Sequence, residues 1–332
     1  METKALIADS RLLGNVLSGN IDDYPDGIII PVDKPYRWTS ADVVRKIKRA
    51  ACGHFGKKNL KVGHAGTLDP LATGVLLVCV GKATRLAETL QKESKEYVAG
   101  IAFGATTPSY DLEKAVDKLY PTDNVSETSV REALKGFTGE QEQVAPLFSA
   151  KSVDGIRAYE LARKQFIDKG LSKSDVIEGF DHSVAGTLNV QKITIHELEL
   201  LDFQPGGSPL AGTALNPGRG HSRFAAAGYG PDSQCQRQGG GSAAQGHDGR
   251  INVADTSGLN LPTAAIRIAC SKGTYIRALA RDLGEALGSG AHLYSLRRTK
   301  TGGFDAETAL SVSQAVSLFV TKDQKTLPGQ DN

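Results

Sequence analysis

GHAGTLDPLATGVLLVCV, residues 63–80, sets a loop with three glycines directly before an unbroken apolar run. The run 75–80 reads as a buried strand. A turn that feeds a strand needs glycine and sometimes proline. It does not need His64, Thr67 and Asp69 as well, and those three residues pose the functional question.

Outward from this loop the chain alternates irregularly between strand and helix signals. GIIIPVDKP (27–35) reads as a strand ending in a turn at Pro35. TSADVVRKIKRA (39–50) reads as a helix, with Thr39 or Ser40 as its cap and Asp42 at the positive end of the dipole. Val43, Val44, Ile47 and Ala51 form its apolar stripe. A helix is expected from about 83 to 91, a strand over 95–104, and a turn at TTPSYD. Val130, Ala133, Leu134 and Phe137 mark another helix, and 157–165 a further one. VQKITIHELELLDF (190–203) reads as one or two strands. AAIRIACSKGTYIRALARDLGEALG (264–288) is the clearest strand–turn–helix, with Ile276, Leu279, Ala280, Leu283 and Leu287 at helical spacing.

Two segments stand outside this pattern. Residues 1–26 lack strong periodicity and read as a leader. Residues 203–250 hold twelve of the 37 glycines and almost no periodic apolar residues. Such composition buries too little surface to offset chain ordering, so a flexible insertion is expected at about 203–255, inside one domain spanning 27–310. Mixed strands and helices without regular βαβ alternation imply an α+β domain around a mixed sheet.

Composition narrows the class. The 332 residues are 40% hydrophobic and 23% charged, with a formal net charge of +2, as in an ordinary soluble protein. The four cysteines, Cys52, Cys79, Cys235 and Cys270, form no CxxC pair, which fits a reducing cytoplasm and argues against a zinc knuckle. No apolar run approaches the roughly 18 residues of a membrane span.

Three readings of the loop compete at this point. A phosphate cradle needs GxxxxGK[ST] or GxGxxG, and neither GHAGTLDP nor GKAT (81–84) has that order. A metal site on His64 and Asp69 lacks a third ligand at a recognisable spacing. An aspartate that merely holds its own turn is the common alternative. Farther along, Arg277 falls on the first turns of a helix; a guanidinium there would keep a nearby carboxylate ionised and oriented. Cations also cluster at Arg267, Lys272, Arg277, Arg281, Arg297, Arg298 and Lys300, and again at Lys34, Arg37, Arg45, Lys46, Lys48 and Arg49. Two such clusters beside a loop acid suggest a groove that tracks a phosphate backbone, against the plainer reading of a solubilising face.

Five ordered segments resemble the bacterial tRNA pseudouridine-55 synthases, the TruB-type family. They are VDKPYRWTSADVV (32–44), GHAGTLDPLATGVLLVCVGKATRL (63–86), KEYVAGIAFGATTPSYD (95–111), QVAPLFSAKSVDGIRAYELAR (143–163) and CSKGTYIRALARDLGEALGSGAHLYSLRRTKTGGF (270–304). GTLDPLATG is the most specific of them. The resemblance implies a pseudouridine-synthase-type α+β fold with a mixed, mainly antiparallel central sheet. It also implies an isomerase that needs no cofactor or metal and turns a uridine of the tRNA T loop into pseudouridine.

By the same resemblance Asp69 is the catalytic acid group, Arg277 its ion-pair partner, and Tyr97 the tyrosine that stacks on the base. His64 lies near the flipped-out nucleotide, with Gly66, Thr67, Leu68, Lys95, Tyr275, Lys34 and Arg298 completing the expected substrate-binding set. Residues 144–192 correspond to the RNA-gripping part of the fold. A T-stem-loop is the expected partner, with no membrane and no protein partner, for a cytoplasmic monomer.

Three departures accompany the match. Arg37 stands where the family pattern has glycine. The insertion is unusual, and 311–332 leaves room for one helix and a tail rather than a separate C-terminal RNA-binding domain. A tRNA-folding module with secondary catalysis, a synthase for another structured RNA and a glycoside hydrolase remain as alternatives. The last usually needs a second carboxyl, which the loop does not offer.

Overall fold

The computed structural model describes residues 4–146, 152–153, 156–157, 190–207, 251 and 253–319. The expected helix at 157–165, most of 144–192, most of the glycine-rich insertion and the tail after 319 lie outside the described residues.

In chain order the first strands are β1 (Leu6–Ile7), β2 (Ile28–Lys34), β3 (Val62–Ala65) and β4 (Ala72–Val80). Next come β5 (Lys95–Phe103), β6 (Ala105–Thr106), β7 (Lys118–Leu119), β8 (Gly139–Val144), β9 (Ser152–Val153) and β10 (Ile156–Arg157). The last are β11 (Val190–Gln204), β12 (Thr263–Cys270), β13 (Ala291–Thr301) and β14 (Phe304–Asp305). The helices are α1 (Ser40–His54), α2 (Ala87–Lys92), α3 (Glu127–Lys135), α4 (Ile276–Ala286) and α5 (Val312–Ser317). Ten of the strands belong to one sheet. β1 pairs β2 in parallel, whereas β2/β4, β3/β4, β8/β11, β11/β12 and β13/β14 are antiparallel. The architecture is therefore α+β around a mixed sheet, as the sequence pattern implied, and the sheet is mainly antiparallel, as the resemblance implied.

The chain divides into two compact units, residues 1–95 with 298–332, and residues 96–297. In the first, β4 is fully buried from Val75 to Val80, which is why its sequence is continuously apolar rather than alternating. Ile29, Val75, Leu77, Cys79, Ala83 and Leu90 pack into one core cluster. Against this unit α1 turns Val43, Ile47 and Ala51, all fully buried. Its cap is Thr39, whose side chain takes the Asp42 N–H while the Asp42 carboxylate accepts from the Thr39 N–H. The leader contributes to the sheet, because Leu6 and Ile7 pair with Ile28 and Ile29. The helix expected at 83–91 begins as a 3-10 segment, Gly81–Leu86, and becomes α-helical only at Ala87.

In the second unit β11 is one 15-residue strand with irregularities between Ile195 and Glu197 and between Leu200 and Asp202. These interruptions break its alternation and explain why it reads as one strand or two. The α4 helix buries Ile276, Leu279, Ala280 and Leu283, the stripe read from its spacing.

Two backbone positions bear on the loop. Gly74 has φ +97°, and a Cβ there would overlap the carbonyl oxygen of Arg298. Arg37 has φ +63°, at the third residue of a turn closed by the Trp38 N–H on the Pro35 carbonyl at 3.4 Å. That left-handed conformation favours glycine, so arginine at this position carries backbone strain. Replacing Gly74 with alanine combines backbone strain with overpacking. Gly74→Ala should cost about 3 kcal/mol or more, read as a lowered midpoint in urea unfolding.

Candidate functional site

The loop from Gly66 to Leu71 joins β3 to β4, and buried side chains hold its carbonyl groups at Gly66, Thr67, Leu68 and Pro70. Arg298 Nη2 donates to the Gly66 carbonyl at 3.1 Å, and Nη1 reaches that of Thr67 at 3.5 Å. The same residue's Nε donates to the Val75 carbonyl at 2.7 Å. Ser40 Oγ donates to the Leu68 carbonyl at 3.0 Å and accepts the Leu68 N–H at 2.9 Å. The Asp69 carbonyl takes the Ala72 N–H at 3.1 Å. Lys34 Nζ donates to the Pro70 carbonyl at 3.1 Å, joined there by the Arg37 N–H at 3.0 Å. Lys34 also grips the carbonyls of Pro35 at 2.9 Å and Trp38 at 2.6 Å, which welds the 35–38 turn to the loop.

The loop needs this help because it is not part of a ladder, and buried carbonyl groups must find donors somewhere. Lys34 is 0% and Arg298 1% exposed, so both cations lie inside the unit rather than at a phosphate-facing surface. Leu68 is buried at 3% exposure and anchors the loop, while Asp69 is half-buried and Thr67 is exposed. An anchored neighbour on one side and a pinned peptide on the other fix the direction from which the carboxylate emerges.

Electrostatics follow from burial. Desolvation pushes Lys34 down to about 7, with Arg298 adding to the effect and Asp69, Asp33 and Asp42 opposing it. His64 is lowered below its ordinary value by burial first and by Arg298 second, so its imidazole is neutral at pH 7. Its Nδ1 is buried without a hydrogen-bond partner among the described residues. In the first unit Gly66, Thr67 and Leu68 thus lie on the loop that carries Asp69, Lys34 and Arg298 hold its carbonyls, and Arg298 acts electrostatically on His64. Lys95 is directed elsewhere: its ammonium donates to the carbonyls of Gln91 and Glu93, both at 2.5 Å, at the end of α2.

The second unit holds the other expected residues. Arg277 is 4% exposed and donates from Nη1 to the Ser109 carbonyl at 3.0 Å. Its Nε lies 3.8 Å from the Asp111 carboxylate, which also accepts from Ser109 Oγ at 2.6 Å. Between these two partners Tyr110 takes φ +58°, a costly conformation for a bulky residue. Tyr275 is the residue that caps α4, and Gln143 holds both its backbone groups: Oε1 accepts the Tyr275 N–H at 2.8 Å and Nε2 donates to its carbonyl at 3.2 Å. Tyr97 on β5 is 8% exposed.

Sequence reading did not single out Asp111 or Gln143, and it left Ser40 as one of two possible caps. The Ser-x-Asp spacing in TTPSYD was the available signal for Asp111, since a serine and an aspartate two apart close their own turn. The basic clusters also change character. Beyond Lys34, Arg277 and Arg298, Arg281 pairs with Asp282 at 2.7 Å and Arg267 with Glu199. Arg45, Lys46, Lys48 and Arg49 on α1 are exposed, Arg45 in a pair with Asp42.

Comparison with known proteins decides the family. A protein of Phocaeicola vulgatus named tRNA pseudouridine synthase B is 41% identical over 290 residues, covering 87% of this chain and 92% of that protein. The chain belongs to the TruB family of pseudouridylate synthases. As a pseudouridylate synthase it is an isomerase. Residues 53–211 match the TruB family pseudouridylate synthase N-terminal domain, and residues 277–328 match the tRNA pseudouridylate synthase B C-terminal domain. A namesake from Flavobacterium johnsoniae is 36% identical, covering 88% of this chain and 96% of that protein. Among solved structures, a Cbf5-Nop10-Gar1 complex is similar at 25% identity and a TM-score of 0.47, over 87% of this chain and 53% of the solved one.

For this TruB-family chain the Lys34 clamp carries a pH signature. Unfolded, Lys34 keeps its proton to the ordinary 10.5, so from about pH 7 upward the unfolded state binds more protons than the native one. This group's contribution to stability therefore rises with pH across that window. Neutral Lys34 has only two N–H donors for three carbonyls, so loop order should fall over the same range. Single-turnover rates should decline above about pH 7 as denaturant stability rises, and Lys34→Met should be slow throughout and lack that step.

Proposed function

We propose that this chain converts the uridine at position 55, in the T loop of tRNA, to pseudouridine, with the isolated T-stem-loop sufficient as substrate. The observation that carries the reading is the half-buried Asp69 on a loop whose flanking carbonyls are held by Arg298, Ser40 and Lys34. The names of the bacterial relatives support tRNA as the substrate class.

In the proposed reaction the N1–C1′ bond of the uridine breaks, the uracil turns while bound, and C5 joins C1′. The C5 proton leaves and N1 ends protonated, so the product is an isomer and no redox partner enters. Asp69 acts at the ribose as a carboxylate, by attack on C1′ or by removal of a sugar proton; a carboxylate does either directly. Arg277 is the proposed partner that orients this carboxylate through paired hydrogen bonds. Reaching C1′ requires the nucleotide to leave its stack, at a cost of a few kcal/mol. Stacking on Tyr97 recovers about 1–3 kcal/mol of this, and the same phenol assists loss of the C5 proton. Neutral His64 faces the extruded nucleotide without adding charge. The protein acts as a cytoplasmic monomer without a protein partner, cofactor or metal. Among the described residues no helix is long and apolar enough to cross a membrane.

Asp69→Asn should abolish pseudouridine formation on a T-stem-loop, by about four orders of magnitude, while RNA affinity stays within about threefold. Retained turnover would remove Asp69 from the chemistry, and free uracil as product would point to hydrolysis instead. RNA capture should depend on the exposed cations of α1. Reversing Lys48 and Arg49 to glutamate should weaken binding and flatten the plot of log affinity against log salt by roughly one to two units. It should leave the rate at saturating RNA unchanged.

A further inference from the structure

We infer that Ser40 is a positioning residue for catalysis, setting the peptide plane from which the Asp69 carboxylate projects. The inference rests on the function proposed above and adds to it a residue with no contact to substrate.

Thr39 and Ser40 stand together at the start of α1, and their hydroxyls have separate tasks. Thr39 Oγ1 accepts the Asp42 N–H at 3.1 Å and donates to the Asp42 carboxylate at 2.6 Å, so the helix is capped without Ser40. Ser40 is 4% exposed and spends its hydroxyl on a residue 28 positions away in sequence. It accepts the Leu68 N–H at 2.9 Å and returns its proton to the Leu68 carbonyl at 3.0 Å. That carbonyl belongs to the peptide joining Leu68 to Asp69. One hydroxyl therefore fixes the plane on each side of Leu68, and the second plane ends at the Cα of Asp69.

The other supports of the loop act farther out. Arg298 holds the carbonyls of Gly66 and Thr67, before this plane, and Lys34 holds that of Pro70, after it. With Ser40 removed, the Leu68 N–H and the Leu68 carbonyl would both lose the hydroxyl, between two segments still held by Arg298 and Lys34. A rotation of that plane swings the carboxylate by about an ångström, enough to cost about a hundredfold in a reaction that depends on alignment.

The test compares Ser40→Ala with Thr39→Ala in single-turnover assays on a T-stem-loop, each at a temperature where unfolding curves show the protein folded. Thr39→Ala loses the helix cap one residue away and serves as the control for lost stability. Ser40→Ala should lower the saturating rate by ten- to a hundredfold with RNA affinity within about twofold, whereas Thr39→Ala should stay within about threefold of the unaltered protein. Ser40→Thr, which keeps the hydroxyl, should recover most of the rate. Equal effects of the two alanine variants, or a change confined to RNA affinity, would overturn the role of Ser40. Absence of pseudouridine formation by the unaltered protein would instead overturn the proposed function, so the two failures are distinct.

Discussion

Two buried cations and one hydroxyl hold successive peptide carbonyls of a loop that has no strand partner of its own, and the candidate site depends on that arrangement. Taking an ammonium and a guanidinium out of water costs several kcal/mol each. Carbonyl acceptors offset that cost, because hydrogen bonds from charged donors are about twice as strong as neutral ones. Lys34 finds three acceptors, at Pro35, Trp38 and Pro70, and Arg298 finds three more, at Gly66, Thr67 and Val75. The desolvated charges and the loop carbonyls thus answer each other.

The second unit uses a related device. Arg277 is buried against the Ser109 carbonyl and the Asp111 carboxylate, and Gln143 takes the place of a neighbouring strand for the backbone of Tyr275. In both units a side chain supplies the partner that regular secondary structure would otherwise provide. Such a partner leaves the backbone free to depart from helix or strand geometry where a residue of the candidate site projects. Tyr110 at φ +58° and Arg37 at φ +63° show the departures this permits. Strain of that kind persists only where the surroundings over-determine the backbone.

Much of the fold was legible because the apolar patterns were local. VLLVCV announced β4, the stripe Val43–Ile47–Ala51 announced α1, and AAIRIAC followed by IRALARDLGEA announced β12 and α4. β13 was missed as a strand because its LRRTKT half reads as a run of cations, one of which, Arg298, occupies a buried position that pattern reading reserves for an apolar residue. β1 was missed for a different reason: two residues carry no period. At the candidate site, the loop that carries Asp69 was legible through its motif. The partners of the loop were not, since Ser40 and Arg298 meet it across 28 and more than 200 positions of sequence. Cations counted as a phosphate-binding surface also turned inward, because composition cannot distinguish a charge that faces water from one that faces a carbonyl.

That unassuming first strand has a practical side. β1 is only two residues long, yet it lies at one end of the strand order and covers the hydrogen-bonding edge of β2 at Ile28 and Ile29. Those isoleucines are fully buried. A bare strand edge beside aliphatic residues is a template for pairing with a second molecule. Trimming the first eight residues for a tidier expression clone would therefore uncover that edge and invite self-association.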